Sequence, residues 1–314
     1  MHSEIFGPVE SRRLGYSLGI NHLPFKVCSY SCIYCQLGQT RRMSVERKDY
    51  GDPDQIMHLT ENRLVELSRY GRMPDTITLV PNGEPTLDKR IAKIIASLKI
   101  FGIPIAVITN ASLLRQPEVQ SDLAEADVVS VKVDSTDERT WRQVNRPHRS
   151  LNLTRVLEGI HGFAEEFNGE LISETMLIDG MNDDGYQAAD LAEYLISIKP
   201  VKVYLSLPLR PPAESHISPP IREKINKYIL KMDECGVHPT LMGDLPESDV
   251  DKKFGQMEEI VSVLKVHPLN RKDLIKILHE KNLSWDQLEN LIDAGIILEK
   301  HIQGEAFFAF NHEH

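Results

Sequence analysis

A chain of 314 residues has room for about two domains. Its 41% hydrophobic and 26% charged residues permit an ordinary core and exclude wholesale disorder, and its 18 Gly and 18 Pro lack a collagen-like period. The net charge of −10 excludes nucleic-acid binding through bulk charge, and no stretch approaches the ~18 apolar residues of a membrane span.

The opening MHSEIFGPVESRR carries no apolar run of the signal-peptide kind, so a cytoplasmic protein without a membrane partner is expected. Strands are predicted at Ser17–Ile20, Thr76–Val80, Pro104–Thr109, Val128–Val133, Leu171–Ile178 and Val201–Leu207. Each is short, β-branched-rich and nearly continuously apolar, the pattern of a sheet covered on both faces. A helix is predicted to open at Asp52-Pro53, a cap followed by a first-turn proline, and to carry Ile56, Leu59, Val65 and Leu67. Further helices are expected over about Lys89–Phe101, Leu153–Phe167, Tyr186–Ile198 and Ile221–Cys235. Six strands with intervening helices predict a parallel α/β sheet, open or closed into a partial barrel.

The composition shifts after Cys235. A helical stretch runs from about Val250 to Leu264, and 246–267 reads as a connecting segment. Over 268–314, Asn270 with Asp273 starts a helix, Ser284 with Gln287 forms a capping-box pattern, and Gly295 ends the second helix. Ile296–Lys300 and Ala306–Phe310 then read as a hairpin around Gln303-Gly304. Two short helices and a hairpin resemble a winged helix. From Lys265 to His314 six Lys+Arg stand against eight Asp+Glu, and Ser284–Ala294 holds Asp286, Glu289 and Asp293 with no basic residue. Such a helix is poorly suited to face phosphates.

Of four cysteines, Cys28, Cys32 and Cys35 fall within eight residues and Cys235 stands alone. A chain this long and this poor in cysteine is no disulfide scaffold, and a reduced compartment with a metal site fits better. Three thiolates in one loop can hold three corners of a [4Fe–4S] cube and leave the fourth iron open. Structural zinc normally takes four ligands, and His22 stands at no usual zinc spacing. Cys235 on a helix reads as a small core residue.

Cys28-x3-Cys32-x2-Cys35, with Tyr34 before the last cysteine, resembles the signature of the radical S-adenosylmethionine superfamily. Pro81-Asn82-Gly83-Glu84-Pro85 is similar to that family's glycine–glycine–glutamate segment, with Asn82 in place of the first glycine. Thr109-Asn110 closes the third strand, and Ser130, Lys132 and Asp134 mark the fourth. Gly7-Pro8-Val9-Glu10-Ser11-Arg12-Arg13-Leu14-Gly15, Asn145-Arg146-Pro147-His148 and Arg210-Pro211-Pro212-Ala213-Glu214 resemble a subgroup related to wyosine-type tRNA-modifying enzymes. Those enzymes carry a second cysteine set, which this chain lacks.

The resemblance implies a partial (β/α)6 TIM-like barrel over 1–245. It implies a [4Fe–4S] cluster on Cys28, Cys32 and Cys35, with S-adenosylmethionine near Tyr34, Gly83, Glu84, Pro85, Asn110, Lys132 and Asp134. Reductive cleavage would yield a 5′-deoxyadenosyl radical that takes hydrogen from the substrate, with flavodoxin or ferredoxin as electron donor. A tRNA or other macromolecule is the first expectation for that substrate, and a peptide or small metabolite the second. Arg12, Arg13, Arg142, Arg146, Arg149 and Arg210 are its candidate contacts. Other readings stay open: Glu84 as a solvated turn acid, Lys132 and Asp134 as a paired interior charge, and the Arg139–Arg155 group as a solvated face. A metal- or redox-sensing winged-helix regulator would explain the C-terminal unit but not the strand-end residues.

Overall fold

The computed structural model describes residues 4–69, 71–242, 257–280, 283–302 and 305–311. An antiparallel hairpin comes first, β1 (Glu4–Ser11) and β2 (Gly15–Asn21), and two short strands follow, β3 (Val27–Cys28) and β4 (Arg42–Met43). Then come α1 (Pro53–Ser68), β5 (Thr76–Leu79), α2 (Ile91–Leu98), β6 (Ile105–Thr109), α3 (Pro117–Leu123) and β7 (Val128–Lys132). The chain continues through α4 (Glu138–Asn145), α5 (Leu153–Glu166), β8 (Glu170–Met176), α6 (Gly185–Ile198), β9 (Lys202–Ser206), α7 (Arg222–Glu234) and β10 (Thr240–Met242). The eight-stranded sheet runs β1-β2-β5-β6-β7-β8-β9-β10, antiparallel only at β1 and parallel elsewhere. It curls into a half-barrel.

The six expected strands are the parallel ones from β2 to β9. The sequence reading missed both flanks. Glu4–Ser11 alternates imperfectly around Gly7-Pro8, where the pairing register shifts, and Thr240–Met242 is too short to carry a pattern. It also missed α3 and α4, whose seven and eight residues show no full period.

The first long helix opens as predicted, with Asp52 Oδ1 accepting from the N–H groups of Asp54 (3.1 Å) and Gln55 (3.4 Å). Its buried stripe is Ile56, Thr60, Leu64 and Leu67, while Val65, expected on that stripe, is 50% exposed.

Side chains alternate across each strand. Leu18, Ile20, Ile77, Leu79, Val107, Val129, Val131, Leu171, Val203 and Leu205 face outward into one core shared with the helices. On the inner face Leu14, Ala106, Ile172 and Tyr204 form a small apolar floor. Beyond that floor the same face turns polar, with Ser130, Lys132, Glu174 and Ser206.

The C-terminal part contains α8 (Met257–Val266), β11 (Leu269–Asn270), α9 (Arg271–Glu280), α10 (Trp285–Asp293), β12 (Ile297–Ile302) and β13 (Glu305–Phe310). It has its own core, with Leu264, Leu274, Leu288 and Phe308 at its centre. The predicted starts hold: the Asp273 N–H donates to Asn270 Oδ1 (2.8 Å), and the Ser284 N–H to Gln287 Oε1 (2.9 Å). Gly295 ends α10 with φ +71°, where a β-carbon would be strained. The strands β12 and β13 pair antiparallel, with β11 on the other side of β13. The turn expected at Gln303-Gly304, the boundary near 245 and the first residues of the helix expected from Val250 lie outside the described residues. Among the described residues no helix is long and apolar enough to cross a membrane.

Candidate cofactor site at the strand ends

The three clustered cysteines lie on the loop between β2 and α1. Backbone contacts seat it from both sides. The Lys26 N–H donates to Asn82 O (2.6 Å), the Glu84 N–H to Val27 O (3.0 Å) and the Ile33 N–H to Val144 O (3.0 Å). Gly83 makes the close approach possible, since a β-carbon there would stand 1.9 Å from the Val27 carbonyl oxygen.

Each sulfur meets a different donor. Lys26 Nζ lies 3.0 Å from Cys35 Sγ, Asn110 Nδ2 3.6 Å from Cys28 Sγ and Asn145 Nδ2 3.5 Å from Cys32 Sγ. Burial, with the nearby Glu84 carboxylate, pushes the Cys28 thiol up to about 12. Burial, with Asp134, pushes Cys32 up to about 11. Burial works to lower the Lys26 ammonium, but the three surrounding sulfurs, Cys35 foremost, hold it above its ordinary value. Thiols of this kind give up their protons when a metal binds, so binding and proton release are coupled. Among the described residues no three His, Cys, Asp or Glu side chains gather as ligands of one ion. A cluster asks for less convergence, because each thiolate binds its own iron.

Glu84 is 1% exposed, so it is no solvated turn acid. Its Oε1 accepts from the Thr86 N–H (3.1 Å), Thr86 Oγ1 (2.6 Å) and Thr109 Oγ1 (2.6 Å), and its Oε2 from the Asn110 N–H (2.8 Å). Burial raises its carboxyl above the ordinary value against the pull of these donors. The carboxylate thereby clamps the end of β5 to the end of β6 and fixes Asn110, which faces Cys28 and also reaches Ser29 Oγ (2.9 Å). Pro85 opens the short turn that follows. Beside it, Asn82 Oδ1 is buried without a hydrogen-bond partner, as is Ser130 Oγ. Asn82 follows β5 and Ser130 lies mid-way along β7, with β6 between them, and each leaves a buried polar atom to be satisfied.

Asp134 follows β7. Its carboxylate accepts from Asn145 Nδ2 (2.6 Å), the Met176 N–H (2.8 Å) and the Tyr34 hydroxyl. It thereby ties the cysteine loop to α4 and β8. Lys132 pairs instead with Glu174 (3.2 Å) and stands over the Tyr34 ring at 4.9 Å from its centroid. Glu174 also accepts from Ser206 Oγ (2.8 Å) and is in contact with Arg13.

The candidate arginines divide. Arg13 and Arg210 point inward, and Arg210 contacts the His267 ring and Gln36 Oε1 (3.4 Å). Arg142, Arg146 and Arg149 are exposed on α4 and the loop after it, with Arg142 paired to Glu138 (2.6 Å) and Arg146 to Glu214. Arg12 is exposed at the β1–β2 turn.

Sequence reasoning missed Lys26, Asn145, Glu174 and His267 as members of this constellation. Glu174 had a readable signal, a charge on a buried strand, as for Lys132. Lys26 had another, a cation two residues before Cys28. Asn145 and His267 meet the site only through the fold.

Residues 23–192 match the radical SAM superfamily. The chain belongs to that superfamily. A UPF0026 protein of Methanocaldococcus jannaschii is 38% identical over 308 residues, covering 98% of this chain and 95% of its own. A radical SAM methyltransferase from Sphaerobacter thermophilus shares the fold with a TM-score of 0.57 and 18% identity, covering 72% of this chain and 66% of that one. TYW1 with a lysine–pyruvate adduct bound aligns with a TM-score of 0.53 and 16% identity, over 73% of this chain and 76% of its own. These two likenesses concern the fold. This radical SAM protein is an enzyme, and its superfamily implies an iron–sulfur cluster and S-adenosylmethionine.

Proposed function

We propose that this enzyme holds one [4Fe–4S] cluster on Cys28, Cys32 and Cys35 and uses it with S-adenosylmethionine to abstract hydrogen from a substrate on the inner face of the half-barrel. The observation that carries this reading is the set of separate donors at the three sulfurs: Lys26 from the cysteine loop, Asn110 from the end of β6 and Asn145 from the end of α4. Hydrogen bonds to ligand sulfurs are a recognised control of cluster potential. When bound, the cluster and S-adenosylmethionine supply one-electron cleavage of a carbon–sulfur bond and a radical able to take hydrogen.

The chain's own residues do the rest. Asn82 Oδ1, unpartnered beside Gly83, Glu84 and Pro85, is an acceptor for an ammonium group, and Ser130 Oγ for a hydroxyl. Glu84 positions Asn110 through the clamp described above. Tyr34 is packed by Asp134 and Lys132, which fixes the last turn of the loop before Cys35. Buried strand ends exclude water from such a site. The electron comes from a reductant of flavodoxin or ferredoxin type. The expectation of a tRNA substrate rests on the subgroup resemblance, because Arg142 and Arg146 already have acidic partners.

Anaerobic reconstitution with iron and sulfide tests the reading. The reduced protein is expected to convert S-adenosylmethionine to methionine and 5′-deoxyadenosine. A protein with full iron and no such product would overturn it.

A further inference from the structure

On the inner face two cations share one carboxylate and a third stands near them without one. Arg13 and Lys132 both touch Glu174. Arg210 has no carboxylate within ion-pair distance among the described residues and rests on Gln36 and the His267 ring. Neighbouring acids are committed or remote. Asp134 serves Tyr34, Asn145 and the Met176 N–H, while Asp273 acts on Arg210 only through space. Burial draws Arg13 down to about 10 and Arg210 down to about 9, with Arg12 and Arg13 adding to the strain on Arg210.

Cations withdrawn from water without matching acids gain most from an anionic ligand, and guanidinium groups grip planar or tetrahedral oxyanions in bidentate fashion. We propose that Arg13, Lys132 and Arg210 form an oxyanion site that holds a small substrate by its carboxylate or phosphate group. The site's role as a substrate site rests on the radical-enzyme reading; its capacity to bind an anion does not. A small ligand is favoured over RNA because these cations face inward, whereas Arg142 and Arg146 on the outer surface are already matched to Glu138 and Glu214.

Calorimetry on the full-length reconstituted protein at fixed ionic strength tests this, with inorganic pyrophosphate and citrate as probes. One-to-one binding of at least one probe is expected, and the preferred probe tells phosphate from carboxylate. Arg13→Gln and Arg210→Gln should each weaken it about tenfold or more, as for loss of a charge-assisted pair. Arg210→Lys, which keeps the charge and loses the two-pronged grip, should fall between wild type and Arg210→Gln, and Arg149→Gln should change nothing. Glu174→Gln should tighten binding, because it removes the one carboxylate that competes for Arg13 and Lys132. A purely structural ion pair would not give that gain.

No one-to-one binding of either probe, no gain in Glu174→Gln, or tRNA binding lost in Arg149→Gln and kept in Arg13→Gln would each overturn the proposal. Iron content of the same samples separates the two readings. Full iron without oxyanion binding sinks this site alone, and oxyanion binding without iron sinks the cluster reading alone.

Discussion

Gly83 and Val27 approach so closely that a β-carbon on Gly83 would lie 1.9 Å from the Val27 carbonyl oxygen, the residue before Cys28. The contact joins the cysteine loop to the end of β5 with no side chain between them. Gly83→Ala must therefore push the loop away from the strand. A cost of about 1–3 kcal/mol is expected from overpacking against backbone. The loop should also lose its register with Asn110, so iron incorporation should fall together with the melting temperature. Wild-type iron content in Gly83→Ala would show that the loop can sit elsewhere and still work.

The cysteines themselves are not equivalent to the fourth. Cys28, Cys32 and Cys35 each face a donor in the site, whereas Cys235 is half-buried at the end of α7 against the outer core. Replacing any of the first three by alanine is expected to abolish cluster assembly, and Cys235→Ala to leave it intact. Iron and sulfide analysis after anaerobic reconstitution decides this. A full complement in Cys32→Ala would rule out the three-thiolate assignment.

Glu84→Ala removes an acceptor from four donors at once, of which the Asn110 N–H and both Thr86 and Thr109 hydroxyls are in buried or half-buried positions. Leaving buried donors unsatisfied costs about 1–3 kcal/mol. Asn110 loses its anchor, so the variant should bind S-adenosylmethionine less well and also hold its cluster less firmly. Calorimetry with S-adenosylmethionine, alongside iron analysis, reads both effects. Weaker cofactor binding at unchanged iron content and stability would instead make Glu84 a direct ligand.

The six parallel strands and the cysteine signature were legible because their information is local. Val128–Val133 or Cys28-x3-Cys32-x2-Cys35 can be read within a few residues. The charges inside the barrel were half legible. Lys132 could be singled out on an apolar strand, but its partner is Glu174 on the next strand and not Asp134 two residues on, because side chains at the two strand positions meet only once the register is set. The two terminal strands were not legible: β1 needs its pairing with β2 to define it, and β10 has only three residues. The arginine-rich segment shows the opposite hazard. Its density drew notice, yet the structure spends two of its cations on Glu138 and Glu214.

A last expectation concerns how the C-terminal part is held to the barrel. His267 contacts Arg210, and Lys265 pairs with Glu4 of β1 at 2.9 Å. Burial, then Arg210 and Arg13, drive the His267 imidazole well below its ordinary value, so it sits neutral against a guanidinium. The unfolded or undocked chain lets the same ring take a proton near its ordinary value of about 6.5. Between that value and the lower folded one the undocked state binds more protons, so the contact stabilises at neutral pH and weakens as pH falls. Limited proteolysis should release the segment after β10 faster at pH about 5.5 than at pH about 7.5, in the window set by that ordinary value. His267→Gln, which can still accept from Arg210 and cannot take up the proton, should flatten this dependence while keeping the docked state at neutral pH. The same pH profile in wild type and His267→Gln would place the sensitive group elsewhere.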